Sequence, residues 1–134
     1  MEQETKLGLG AFDELDDERL QFAKQLGVDS MILNTPDLPG HGYWEFAALL
    51  RMRTRVEAEG RTLYAIENMP RGVCGKIRHG LPGRDEQIEN VQKTIRNVCR
   101  AGIRVLGYDG MLVGVWRTGN GPTATSRGRA SDAG

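Results

Sequence analysis

Residues able to bind a small anion gather in a few places along this chain. Residues 71–84 hold Arg71, Lys76, Arg78 and Arg84, together with His79 and four glycines, and contain no acid. Such a run of donors suits a carboxylate, because hydrogen bonds between charged partners are the stronger kind. Glu67 and Asn68 form a second group, and Tyr108 with Asp109 a third, each directly after a short apolar run. Carboxylate, amide and phenol side chains there can accept or donate hydrogen bonds to a ligand. Trp116 and Arg117 place a planar indole beside a planar guanidinium. Ordinary roles stay open for each: a solvated basic loop, loop hydrogen bonding by Glu67, Asn68 and Tyr108, a tryptophan packing its own loop. Arg84, close to a helix start, reads as structural.

Metal and thiol chemistry have little to work with. His41 and His79 are the only histidines, far apart and without a carboxylate or cysteine at ligand spacing, so no metal site is expected. Cys74 and Cys99 are too few for a disulfide framework and too distant for a CxxC site. Both read as reduced structural cysteines, with Cys99 a small buried hydrophobe within a helical pattern.

These residues need a scaffold, and strand-like and helix-like pieces alternate along the chain. An apolar, glycine-rich run at 7–12 precedes an acidic helix start at Asp16, Asp17 and Glu18, favoured by the helix dipole. Leu20, Phe22, Ala23 and Leu26 supply that helix's stripe, and Gly27 stops it. A second strand covers 30–34, and a loop rich in proline and glycine follows. Phe46, Leu49, Leu50, Arg53 and Val56 mark a helix over about 43–59, ended by Gly60. A third strand spans 62–66, and residues 71–84 read as a long loop. Asp85 then caps a helix striped by Ile88, Val91, Ile95 and Val98, and Gly102 closes it before a fourth strand at 104–108. From Gly119 the composition turns to Gly, Thr, Ser, Arg and Ala without periodicity, so 119–134 is expected to be a disordered tail.

Bulk properties set the class. The 134 residues suffice for one domain; 39% are hydrophobic and 27% charged, as in ordinary globular proteins. Eighteen basic residues balance eighteen acidic ones, which argues against general binding of nucleic acid or a membrane surface. No apolar run approaches a membrane span and the acidic N-terminus is no signal peptide, so a cytoplasmic protein is expected. Strands joined by helical crossovers demand a parallel sheet. No GxGxxG follows the first strand, which weighs against a nucleotide-binding open sheet. Asn34, Glu67-Asn68 and Tyr108-Asp109 instead end successive strands, where (β/α)₈ barrels build their sites. The expected architecture is α/β: a partial TIM barrel of about four βα units over 1–118, truncated against the roughly 250 residues of a full barrel.

The strings Glu67-Asn68-Met69-Pro70, residues 80–90 (GLPGRDEQIEN) and Thr94-Ile95-Arg96-Asn97 resemble the mannonate dehydratase family, as do Ala101-Gly102-Ile103, Gly107-Tyr108 and 115–118 (VWRT). The likeness covers about 60–120 closely; 1–59 agree mainly in layout. It implies a xylose isomerase-like barrel that dehydrates D-mannonate to 2-keto-3-deoxy-D-gluconate with Mn²⁺ or Fe²⁺. The family's metal ligands belong to later strands, beyond these residues. Where family members carry a proline after the methionine that follows the fourth strand, this chain has Met111-Leu112. Their places at strand ends and in the basic stretch make Glu67, Asn68, Arg78, His79, Tyr108, Trp116 and Arg117 the candidate binders of the small sugar acid that the resemblance implies, and the catalytic acid and base stay unassigned. It implies a lyase, inactive as this chain alone. A related sugar isomerase or epimerase and a non-catalytic remnant remain as competing readings. Open strand edges also predict self-association or poor folding.

Overall fold

The computed structural model describes residues 7–110. Its elements are β1 (Gly8–Phe12), α1 (Asp17–Gln25), β2 (Ser30–Leu33), α2 (Phe46–Ala58), β3 (Thr62–Ile66), α3 (Arg71–His79), α4 (Arg84–Arg100) and β4 (Val105–Leu106). The strands pair in the order β1-β2-β3-β4, every pair parallel. Parallel neighbours are joined by right-handed crossovers, so an order that never reverses sends successive crossover helices to the same face. The core agrees. Leu20 and Ala23 of α1, Leu49, Met52 and Val56 of α2, and Val98 of α4 share one cluster with Met31, Leu33, Leu63 and Ile66. Register places Val105 beside Ala65, and Ala65 beside Ile32, on the other face, where Val105 remains 39% exposed. A bulge in the β2–β3 pairing leaves Tyr64 as the extra residue, also exposed. A doubly wound sheet reverses its strand order and is covered on both faces; this sheet is singly wound.

Side chains of α4 fasten the layers. Buried Thr94 accepts the backbone N–H of Trp44 through its hydroxyl at 3.1 Å, and Asn97 Nδ2 donates to the Trp44 carbonyl at 2.9 Å. The i, i+3 spacing of Thr94 and Asn97 sets both on the flank that meets the β2–α2 loop. Arg53 of α2 reaches the other way, donating to the Ala101 carbonyl at 2.7 Å. That satisfies one of the unpaired carbonyls at the C-terminus of α4. Gly102, at φ +75, passes so close beneath this guanidinium that a Cβ would overlap it.

Several expectations need correction. Residues 71–79 are a helix, not part of a loop. Gly72 and Gly75 weaken the helical signal, yet Pro70 precedes its first turn, Lys76, Arg78 and His79 fill the last, and Gly80 closes it at φ 63. Gly83 rather than Asp85 is the N-cap of α4; Asp85 lies in the first turn, where the dipole favours it. The second helix starts at Phe46 instead of 43, and β4 is only two residues long. Ile88 (39% exposed) and Ile95 (50%) stand outside the buried cluster to which Val98 belongs. Phe22, Leu26 and Leu50 are likewise exposed. Cys99 is exposed and Cys74 buried, the reverse of the pattern expected for Cys99. The expected tail at 119–134 lies outside the described residues.

Thr94→Val keeps the volume but strands the buried N–H of Trp44, so unfolding free energy should fall by about 1–3 kcal/mol in urea titrations; unchanged stability would show the bond to be dispensable. Asp16, the N-cap of α1, accepts the Arg19 backbone N–H at 2.8 Å. That bond, helped by the Arg19 charge, holds its carboxyl below the ordinary value of 3.8. A lowered folded value stabilises above 3.8 and loses its effect as pH falls through it. Asp16→Ala should therefore lower the melting temperature at neutral pH, with the gap to the parent chain closing in acid.

Candidate functional site at the strand tips

The sheet ladder continues past the strands on one edge. Asn34 N–H donates to the Phe12 carbonyl at 2.7 Å, Glu67 N–H to Leu33 at 2.7 Å, and Gly107 N–H to Ile66 at 2.8 Å. These bonds hold the polar tips of β2, β3 and β4 in a row. Asn68 Nδ2 donates to Asn34 Oδ1 at 3.0 Å, joining two tips through their side chains. An amide has two donors and an acceptor with two lone pairs, so this pair keeps hydrogen-bonding capacity for a ligand hydroxyl. Thr35, next in the chain, sits at φ 40. A β-branched residue in the left-handed region stores about 1–3 kcal/mol of strain, which collects at functional sites. Gly107 is required for a different reason: a Cβ there would overlap the Glu67 carbonyl oxygen.

Helix α3 stands over this edge, braced by α4. The Gln87 side chain accepts the Lys76 N–H and donates to the Gly72 carbonyl, both at 2.8 Å. Arg78, its side chain only 12% exposed, pairs with Asp109 at 3.1 Å and so ties α3 to the residues after β4. Beneath lies a groove of about 520 Å³ lined by Met69, Cys74, Ile77, Val91, Ile95 and Leu106, with Arg78, Tyr108 and Asp109 also on its wall.

The sequence-derived set therefore divides. Glu67, exposed, and Asn68, half-buried, stand at the tip of β3. Arg78 and Tyr108 share the neighbouring groove, Tyr108 being largely exposed. His79 ends α3 on the surface. Trp116 and Arg117 lie outside the described residues. Sequence reasoning placed Asn34 at a strand tip without choosing it as a binder, and did not foresee Asp109 as the partner of Arg78. Polarity directly after a strand was the available signal for both. For Gln87 there was none, since a glutamine on a helix surface is ordinary. Among the described residues no three His, Cys, Asp or Glu side chains come together as metal ligands do. These residues do not fit the Mn²⁺ or Fe²⁺ that the resemblance implies.

The sequence pattern of D-mannonate dehydratase (UxuA) matches residues 6–131. The chain belongs to the mannonate dehydratase family. A mannonate dehydratase of Thermotoga maritima is 36% identical over 102 residues, covering 75% of this chain and 28% of that protein. One from Lactococcus lactis subsp. lactis is 34% identical over 96 residues, 72% of this chain and 26% of the relative. The chain thus spans under a third of the length of these mannonate dehydratases. The crystal structure of mannonate dehydratase from Streptococcus suis serotype2 superposes with a TM-score of 0.78 at 27% identity, over 96% of this chain and 37% of that one. The fold described above is therefore that of a mannonate dehydratase segment.

Gly107→Ala should push the Glu67 carbonyl aside and cost about 1–3 kcal/mol, as overpacking does. Amide shifts at Glu67 and Asn68 should move with the loss of stability; unmoved shifts would show that the tips accommodate a Cβ.

Proposed function

We propose that this chain supplies the N-terminal half of a mannonate dehydratase barrel, with four of its βα units and the first part of its substrate-binding mouth. The match to the family over 6–131 carries this reading. The polar row at the strand tips supports it, because barrel enzymes bind their substrates on that edge. The reaction is the loss of water from D-mannonate to give 2-keto-3-deoxy-D-gluconate, a cytoplasmic step of sugar-acid breakdown. A base must take the proton beside the carboxylate, and an acid must help hydroxide leave. Neither role falls to a residue named here, and the metal expected of the family finds no ligand cluster among the described residues.

The contribution of this chain is to hold and orient the sugar acid. The Asn34–Asn68 pair and Glu67 address its hydroxyls. Arg78, steadied by Asp109, addresses its carboxylate from α3, with His79 and Tyr108 beside it. Trp116 and Arg117 complete the set. A fixed guanidinium loses less rotamer freedom on binding than a loose one.

Fusing this chain to the remaining part of the Thermotoga maritima relative gives a barrel that can be assayed for 2-keto-3-deoxygluconate with Mn²⁺ present. The fusion should form product while this chain alone does not. Arg78→Ala or Asn68→Ala should raise KM about tenfold, the loss of one hydrogen bond to a charged or desolvated group. A folded, metal-loaded fusion without product overturns the proposal. An unchanged KM removes the substituted residue from the site.

A further inference from the structure

The sequence of α3 does little to secure it. The helix has nine residues, two of them glycine, and its N-cap Pro70 offers no side-chain bond to the first turn. A helix of that length is marginal in water on its own, and each glycine weakens it further. Yet its last turn carries Arg78 and His79, and Arg78 keeps its side chain against Asp109 beside the strand tips. Apolar contact supplies part of the hold, since Cys74 and Ile77 share a groove with Val91 and Ile95 of α4. Burial has no direction, so it keeps α3 near α4 without fixing where the last turn aims.

Gln87 supplies the direction. Gly72 C=O and Lys76 N–H are an i, i+4 pair, the two groups that an α-helix bonds to each other as one rung. The Gln87 amide, near the start of α4, engages both: Oε1 accepts the Lys76 N–H and Nε2 donates to the Gly72 carbonyl, each at 2.8 Å. That rung spans Gly75, in the stretch where glycine leaves the backbone most freedom. The Lys76 carbonyl in turn accepts the Leu81 N–H at 2.9 Å, in the turn that leads to α4. Both backbone polar groups of Lys76 are thus tied from outside the helix, and Arg78 follows two positions later. A side chain that joins the i→i−4 ladder changes the direction of a helix, so its loss re-aims whatever lies beyond. We infer that Gln87 is a positioning residue for the sugar-acid site. By clasping the Gly72–Lys76 rung it sets the aim of the last turn of α3, and so the pairing of Arg78 with Asp109. That Arg78 meets a carboxylate rests on the dehydratase reading; that Gln87 holds Arg78 does not.

Gln87→Met keeps the reach of the side chain and removes both bonds. In NMR spectra of the 134-residue chain, hydrogen exchange at the α3 amides should quicken about tenfold, the loss of roughly one net hydrogen bond. The Arg78 Nε–H signal should shift or broaden, while the Trp44 amide, held by Thr94, keeps its exchange rate. In the fusion with the remaining part of the Thermotoga maritima relative, the same change should raise KM for D-mannonate several-fold and leave kcat in place. Adding it to Arg78→Ala should raise KM no further, which separates an effect through Arg78 from a general loosening. Unaltered α3 exchange, exchange quickened alike at Trp44, an unmoved Arg78 signal, a loss confined to kcat, or additive effects of the two substitutions would each overturn the inference. A parent fusion that forms no product would overturn the dehydratase reading instead, and the exchange rates and the Arg78 signal would still decide whether Gln87 holds that residue.

Discussion

Handedness of the crossovers is the constraint from which the rest of the molecule follows. Because a right-twisted strand accepts only a right-handed return, a chain that always advances to the next position lays its helices on one face. The strands then share one direction, and all their C-terminal ends fall on one edge. Asn34, Asn68 and Gly107 are therefore neighbours although long stretches of chain separate them. No individual contact creates the polar edge; the winding does, and local bonds refine it.

Refinement comes from a few polar side chains that serve backbone groups rather than ligand. Thr94 and Asn97 hold both backbone polar groups of Trp44, Arg53 closes the end of α4, and Gln87 bridges two backbone positions of α3. Buried backbone groups must be paired, and loops are where partners are scarce. Such bonds give irregular segments a single conformation that hydrophobic burial, which has no direction, cannot specify.

The strands and α1, α2 and α4 were legible because each carries a clear period and a glycine stop: Gly27, Gly60 and Gly102 all sit at positive φ where helices were expected to end. Helix α3 was hidden, since two glycines and a basic composition imitate a loop while the apolar positions Val73, Cys74 and Ile77 are few. Its stability comes from Gln87 and from packing on α4, which are tertiary facts. The exposure of Ile88 and Ile95 was illegible for a related reason. Periodicity tells which side of a helix is apolar, and only the neighbours decide whether that side is covered. At the site, strand-end polarity pointed to Glu67, Asn68 and Tyr108. The pairing of Arg78 with Asp109 needed the third dimension, because a charge pattern does not show which acid the fold brings near.

The grip of α4 on Trp44 also bears on what substitutions at Thr94 and Asn97 would do in a living cell. A selection scored on growth would find Thr94 and Asn97 intolerant of change and would invite a chemical role for them. Their hydrogen bonds end on peptide groups, so the damage is conformational and should relent at lower growth temperature, where a slackened loop is less readily lost. A defect that persisted in the cold would belong to a residue whose role is not conformational.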